Sequence, residues 1–127
     1  MKKQLNAVKE FHEKFKQTNG EQPQLLTEDD YILRYKLMNE ENLEYFEACE
    51  KKDLVEIADA LGDQLYILCG TILKHGLQHK IEEVFDEIQR SNMSKLGEDG
   101  EPIIRPDGKI MKSKLYEKPN ISGILGL

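Results

Sequence analysis

Glu40, Glu41, Glu44 and Glu47, followed by Glu56, Asp59 and Asp63, are the residues of this chain best equipped for chemistry. They recur three and four apart, and Leu, Ile, Val, Tyr and Cys are threaded between them. Carboxylates set close together repel one another. A partly buried group of them is costly unless something positive compensates. Hard divalent cations do this, and an all-oxygen donor set suits Mg²⁺ or Mn²⁺. The bland alternative is a charge run on a wet helical face, so the elements that carry the acids must decide.

Two long helices are predicted. Thr27 reads as an N-cap, with acids 28–30 in the first turn where the helix dipole favours them, and the pattern runs to about Glu50. Lys51, Lys52 and Asp53 mark a short break. Asp53 can cap the next helix, with Glu56 at the capping-box position, and Gly76 stops it after His75. On a wheel of about 100° per residue, Leu54, Ile57, Ala58, Leu61, Leu65 and Leu68 form a core stripe, with Glu56, Asp59 and Asp63 nearly opposite. Val55, Tyr66, Ile67 and Leu73 border those acids, so this helix is apolar on both sides and expected to be central. On the preceding helix Glu40, Glu41, Glu44 and Glu47 cluster on the side of Leu33, Leu37 and Ala48. Ile32, Tyr35, Leu43 and Phe46 cover another side. So short a break makes the two helices antiparallel neighbours, and the acid clusters lie at comparable distances from the turn. They can face each other as a carboxylate metal site; the pattern does not name a substrate.

The remainder of the chain supports a small helical domain. Leu5, Val8, Phe11, His12 and Phe15 give an amphipathic helix over residues 2–18, ending at Asn19-Gly20. A fourth helix is expected from about Gln78 to Lys95, packing through Ile81, Val84, Phe85 and Ile88. After Gly97 glycines and prolines accumulate, and "IIRPDGKIM" reads as two short strands around a Pro-Asp-Gly turn. The expectation is an all-α four-helix bundle (1–97) with a C-terminal flap (98–127) holding a short β-hairpin. With 127 residues and 39% hydrophobic content, it is expected to complete its core as a homo-oligomer.

The net charge of −6 argues against a general nucleic-acid surface. It is unevenly spread: residues 28–63 hold twelve acids against four bases, residues 90–127 seven bases against five acids. An acidic centre and a basic tail suit metal ions bridging to an anion. Cys49 and Cys69 form no disulfide framework and read as buried reduced thiols of a cytoplasmic protein. "MKKQLNAVKEF" lacks the apolar run of a signal peptide, and no stretch is long enough to span a membrane.

Glu40-Glu41-x-x-Glu44 followed by Glu56-x-x-Asp59 resembles the EExxE…ExxD signature of the all-α NTP pyrophosphohydrolases. That superfamily includes MazG-like enzymes, dimeric dUTPases, dCTP pyrophosphatases and phosphoribosyl-ATP pyrophosphohydrolases. "RSNMSKLGEDGEPIIRPDGKIMKSKLYEKP" looks like the C-terminal segment of a MazG-related subgroup of bacteria and phages. Together the two matches span most of residues 34–120. The resemblance implies a helical core that dimerises or tetramerises. It also implies Mg²⁺-dependent hydrolysis of a nucleoside triphosphate between the α and β phosphates, with Mn²⁺ able to substitute. By position, Glu41, Glu44, Glu56 and Asp59 would be the metal ligands. Glu40 would orient or deprotonate the attacking water, or help hold a further ion; Glu40 and Glu41 form the catalytic pair. Asp63 would be a ligand or a partner to the ligands. Asn92 and Lys95 would meet the nucleotide, with Lys112 and Tyr116 closing over phosphate or base; Lys109 and Lys112 are each as readily ordinary exposed lysines. Phosphoribosyl-ATP is the rival substrate, and a non-catalytic acidic binding protein the rival of another class.

Three further features carry less. His75 and His79 have i,i+4 spacing, but Gly76 interrupts them and no HExxH glutamate is present. "GEDGEPIIRPDGK" lacks EF-hand spacing. Arg34, two turns before Glu41, could meet a phosphate or pair with an acid, and an ion pair is the expectation.

Overall fold

A computed structural model describes all 127 residues. The chain is helical, with helices α1 (Lys2–Lys14), α2 (Glu28–Glu50), α3 (Leu54–Lys74), α4 (Ile81–Met93) and α5 (Ile121–Leu125). A two-stranded antiparallel hairpin, β1 (Ile103–Ile104) and β2 (Ile110–Met111), precedes α5. The residues fall into two compact units, Met1–His79 and Lys80–Leu127.

In the first unit α3 is central and packs against both α1 and α2. Local chemistry fixes the ends of the long helices. Thr27 Oγ1 accepts the Asp30 N–H at 3.3 Å, and Asp53 Oδ1 accepts those of Val55 and Glu56 at 3.0 and 3.1 Å. Glu56 does not complete a reciprocal capping box; its carboxylate turns to Lys51 Nζ at 3.6 Å. At their C-termini α1, α2 and α3 close alike. The residue two past each helix lies left-handed (Lys16, Lys52 and Gly76, φ +57°, +55° and +67°). The next N–H reaches back five residues, as Gln17 to His12 O, Asp53 to Ala48 O and Leu77 to Ile72 O. The amphipathic pattern of α1 continues to residue 18, but this closure ends the helix at Lys14, without a glycine to announce it.

The loop after α1 caps α3. Gly20 N–H donates to Leu73 O, Gln24 N–H to His75 O and Gln24 Nε2 to Lys74 O, each at 2.9 Å. His75 Nδ1 meets Gln24 O at 2.8 Å. The approach is so close that a Cβ on Gly76 would come 2.1 Å from Gln22 O. Carbonyls that end a helix unpaired are thus satisfied by a segment fifty residues away in sequence.

The buried core of this unit comprises Leu5, Val8 and His12 of α1, Arg34 and Ala48 of α2, and Ala60, Cys69, Ile72 and Leu73 of α3. The stripe expected to be core is largely uncovered: Leu54 is 77% exposed, and Leu61, Leu65 and Leu68 are 40–48% exposed. Ile32, Tyr35, Leu43 and Phe46 of α2 are exposed too. The reason is geometric. α3 turns its small residues and Leu73 toward α1 and α2, which leaves the leucines on a face that neither of those helices covers. Cys49 is exposed as well, against expectation, whereas Cys69 is buried.

In the second unit α4 spans Ile81–Met93, shorter at both ends than the pattern suggested, and Phe85 and Ile88 are exposed rather than packed. Polar side chains of α4 and of Ser94, just past its C-terminus, hold the tail. Glu87 takes a bidentate contact from Arg90 and accepts the Asn120 N–H at 2.9 Å, while Ser94 Oγ accepts that of Glu117 at 2.9 Å. The hairpin pairs Ile103 with Met111 and Ile104 with Ile110 around Pro106-Asp107-Gly108, as the turn chemistry predicts.

Candidate functional site

The antiparallel α2–α3 hairpin puts residues equally far from the turn at equal height. Glu41 lies nine residues before Glu50, and Asp63 nine after Leu54. These two and Glu44 converge, with one carboxylate oxygen from each lying within 4.8 Å of the others. Glu41 and Asp63 are half-buried and Glu44 is exposed. Glu41 Oε2 is buried without a hydrogen-bond partner.

Such a grouping holds protons. Glu41 is pushed up to about 7 from the usual 4.5. Burial is the largest cause, followed by the hydrogen bond with Glu44 and the charges of Glu44, Asp63 and Glu40. Burial first, and the neighbouring acids second, thus favour the protonated form of Glu41. A buried carboxylate oxygen without a donor, in a cluster of oxygens, is what a cation would satisfy.

A recess of about 260 Å³ adjoins the cluster through Glu44, lined also by Glu47, Lys51, Glu56, Asp59 and Ala60. The acids therefore divide. Glu41, Glu44 and Asp63 meet at one point; Glu56 and Asp59 share the recess with Glu44 but lie outside that group. Glu40 is exposed and outside both, though its charge reaches Glu41. Lys51 puts a cation beside Glu56 at the rim. In the sequence Lys51 marks only a helix break, although a lysine pair immediately after an acidic helix is a signal for such a cation.

Arg34 forms no ion pair. It is buried and donates to Thr71 Oγ1 and Ile67 O, both neutral. The expectation failed because α3, not a nearby acid, supplies what lies within reach of the side chain.

The remaining expected residues stand in the second unit. Asn92 is exposed and Lys95 half-buried. Lys112 Nζ lies 4.6 Å from the centre of the Tyr116 ring, a cation–π contact that holds these two together. Lys109 is exposed, and its N–H donates to Asp107 Oδ1.

Comparison with known proteins adds to this geometry. Residues 8–92 match a family described as phosphoribosyl-ATP pyrophosphohydrolase. Among solved structures, a candidate NTP pyrophosphohydrolase from Exiguobacterium sp. 255-15 is similar at 28% identity, over 91% of this chain and 88% of that one, with a TM-score of 0.47. No curated protein matches the chain.

Proposed function

The chain belongs to the phosphoribosyl-ATP pyrophosphohydrolase family, and from that premise we propose that it hydrolyses a deoxynucleoside triphosphate between the α and β phosphates. The products are a nucleoside monophosphate and pyrophosphate, and the role is removal of unwanted nucleotides from the cytoplasmic pool. One observation carries the reading: Glu41, Glu44 and Asp63 converge around a buried Glu41 oxygen that nothing in the protein satisfies.

The donor set fits Mg²⁺, with Mn²⁺ as a substitute, because every donor is a carboxylate oxygen. Glu41, Glu44 and Asp63 would hold the ion, and Glu56 and Asp59 offer carboxylates to a further one in the adjoining recess. When bound, the metal neutralises phosphate charge and lowers the pKa of a water. The chain's own residues supply the remainder. Glu40, exposed beside the cluster, orients or deprotonates the attacking water. Asn92, Lys95, Lys112 and Tyr116 contact the nucleotide, with Lys112 held over the Tyr116 ring.

We also assign a homodimeric or homotetrameric state. Leu61, Leu65 and Leu68, with Tyr35, Leu43 and Phe46, expose a broad apolar face of the α2–α3 hairpin. A groove of about 370 Å³ along it is lined by Tyr35, Met38, Asn39, Asn42, Gln64 and Leu68. No helix is long and apolar enough to cross a membrane.

A second reading, phosphoribosyl-ATP as substrate, is favoured by the description of the matched family. One experiment separates the two: pyrophosphate release from NTPs, dNTPs and phosphoribosyl-ATP with Mg²⁺ or Mn²⁺, beside Glu44→Gln. The expected result is pyrophosphate with the matching deoxynucleoside monophosphate, lost in the variant. Turnover confined to phosphoribosyl-ATP would establish the second reading, and orthophosphate as the direct product would refute both. No turnover and no metal binding would point to an acidic binding protein.

A further inference from the structure

Arg34 is only 8% exposed, and no carboxylate pairs with it. Its partners are neutral: Nε donates to Thr71 Oγ1 at 3.0 Å and Nη2 to Ile67 O at 2.9 Å. Thr71 Oγ1 donates to the same Ile67 carbonyl at 2.9 Å, so the three groups form a closed set. Space has been cleared for the guanidinium, since a Cβ on Gly70 would lie 2.6 Å from Nη2 and 3.1 Å from His12 Nε2. Burying a cation without a counter-charge is unfavourable, and burial lowers the Arg34 pKa. An apolar side chain would fill the same space at less cost, so a geometric demand explains the guanidinium better than a contribution to stability does.

Its position says which demand. Arg34 precedes Glu41 on α2 by two helical turns, about 10 Å, and Thr71 follows Asp63 on α3 by a similar distance. The turn at 51–53 joins the other ends of the two helices. The converging carboxylates lie between these two attachments, and their repulsion acts to part the helices. The planar guanidinium spans Ile67 O and Thr71 Oγ1, and sliding α2 by one residue, about 1.5 Å, would break at least one of its bonds.

We infer that Arg34 is a positioning residue whose two hydrogen bonds to α3 fix the axial register of α2, and thereby the separation of Glu41 from Asp63. This rests on Glu41, Glu44 and Asp63 being a metal site. Thr71 is the partner through which it acts, and Gly70 the residue that admits it.

The test is titration of the full chain with Mn²⁺ alone, by calorimetry, with urea unfolding in parallel. The proteins are wild type, Arg34→Met, Thr71→Val and Thr71→Ser. Thr71→Val removes the acceptor while keeping the shape; Thr71→Ser restores it. Arg34→Met and Thr71→Val are expected to bind Mn²⁺ about tenfold more weakly at concentrations where both are folded. Thr71→Ser is expected to match wild type. A merely structural arginine would lower the unfolding midpoint and leave Mn²⁺ affinity alone, so an unchanged affinity in Thr71→Val overturns the inference even if Arg34→Met fails to fold. Wild type that binds no Mn²⁺ would instead overturn the metal reading, and the inference with it.

Discussion

Replacing Glu41 by glutamine should stabilise the metal-free protein at neutral pH and above. In the unfolded chain the Glu41 carboxyl ionises near its usual 4.5, whereas in the folded protein it keeps its proton to about 7. The folded state therefore binds that proton more tightly. Its stabilising effect is fully present below about pH 4.5 and is lost as pH rises through about 7. A displacement from 4.5 to about 7 sets a ceiling of about 3 kcal/mol. Glu41 is only partly buried, and solvent screening reduces the expected loss to about 1–2 kcal/mol. Glutamine has the shape of the protonated acid and cannot ionise. Urea unfolding of both proteins in chelator, from pH 4.5 to 8.5, should show coincident stability at the acid end. The variant should then exceed wild type by about 1–2 kcal/mol at the alkaline end. Added Mg²⁺ should stabilise wild type and not the variant. Curves that stay parallel across the range would refute the claim that burial and its acidic neighbours make Glu41 hold its proton in the folded protein.

Three further outcomes follow from the same structure. Cation binding must displace the proton Glu41 holds, so Mn²⁺ affinity measured by calorimetry should rise with pH up to about 7 and then level off. Lys52 occupies a left-handed position at φ +55°, where glycine is unstrained; Lys52→Gly should raise the unfolding free energy by about 0.5–1 kcal/mol, read by urea denaturation. Leu65, exposed in the single chain, lies on the face assigned to self-association; Leu65→Glu should reduce the mass seen by light scattering to that of a monomer, and an unchanged mass would move the interface elsewhere.

What could be read from the sequence was what local chemistry decides. Thr27 and Asp53 cap helices because each carries an acceptor one step before a run of unpaired N–H groups. The Pro-Asp-Gly hairpin and the stop at Gly76 are legible for the same kind of reason. The end of α1 was not, because its left-handed residue is Lys16 and lysine gives no such signal. Wheels put Glu56, Asp59 and Asp63 together on one side of α3, yet the choice of Asp63 as the partner of Glu41 and Glu44 depends on height above the turn, and a wheel discards height. A wheel likewise shows that Leu61, Leu65 and Leu68 form one stripe, but not whether the cover comes from within the chain. Arg34 escaped because its partners are a threonine hydroxyl and a main-chain carbonyl on another helix, neither of which marks an arginine's place in a sequence.

The two faces of the α2–α3 hairpin explain why acids and apolar residues alternate along it. One groove gathers carboxylates that repel, and repulsion alone would open the hairpin. The opposing forces come from elsewhere on the same two helices: the turn with its Asp53 cap, the Asn42–Gln64 hydrogen bond of 3.2 Å, and the Arg34 contacts with α3. A residue on either helix therefore has two duties, one toward the site and one toward its support. This predicts the sign of substitutions from their place in the hairpin. Neutralising an acid of the cluster should remove metal binding while adding stability. Removing the Arg34 contacts should weaken metal binding without depending on any loss of stability. A carboxylate site that gained its order only from a bound ion would show the opposite for the acids, with the neutralised variants no more stable than wild type in chelator.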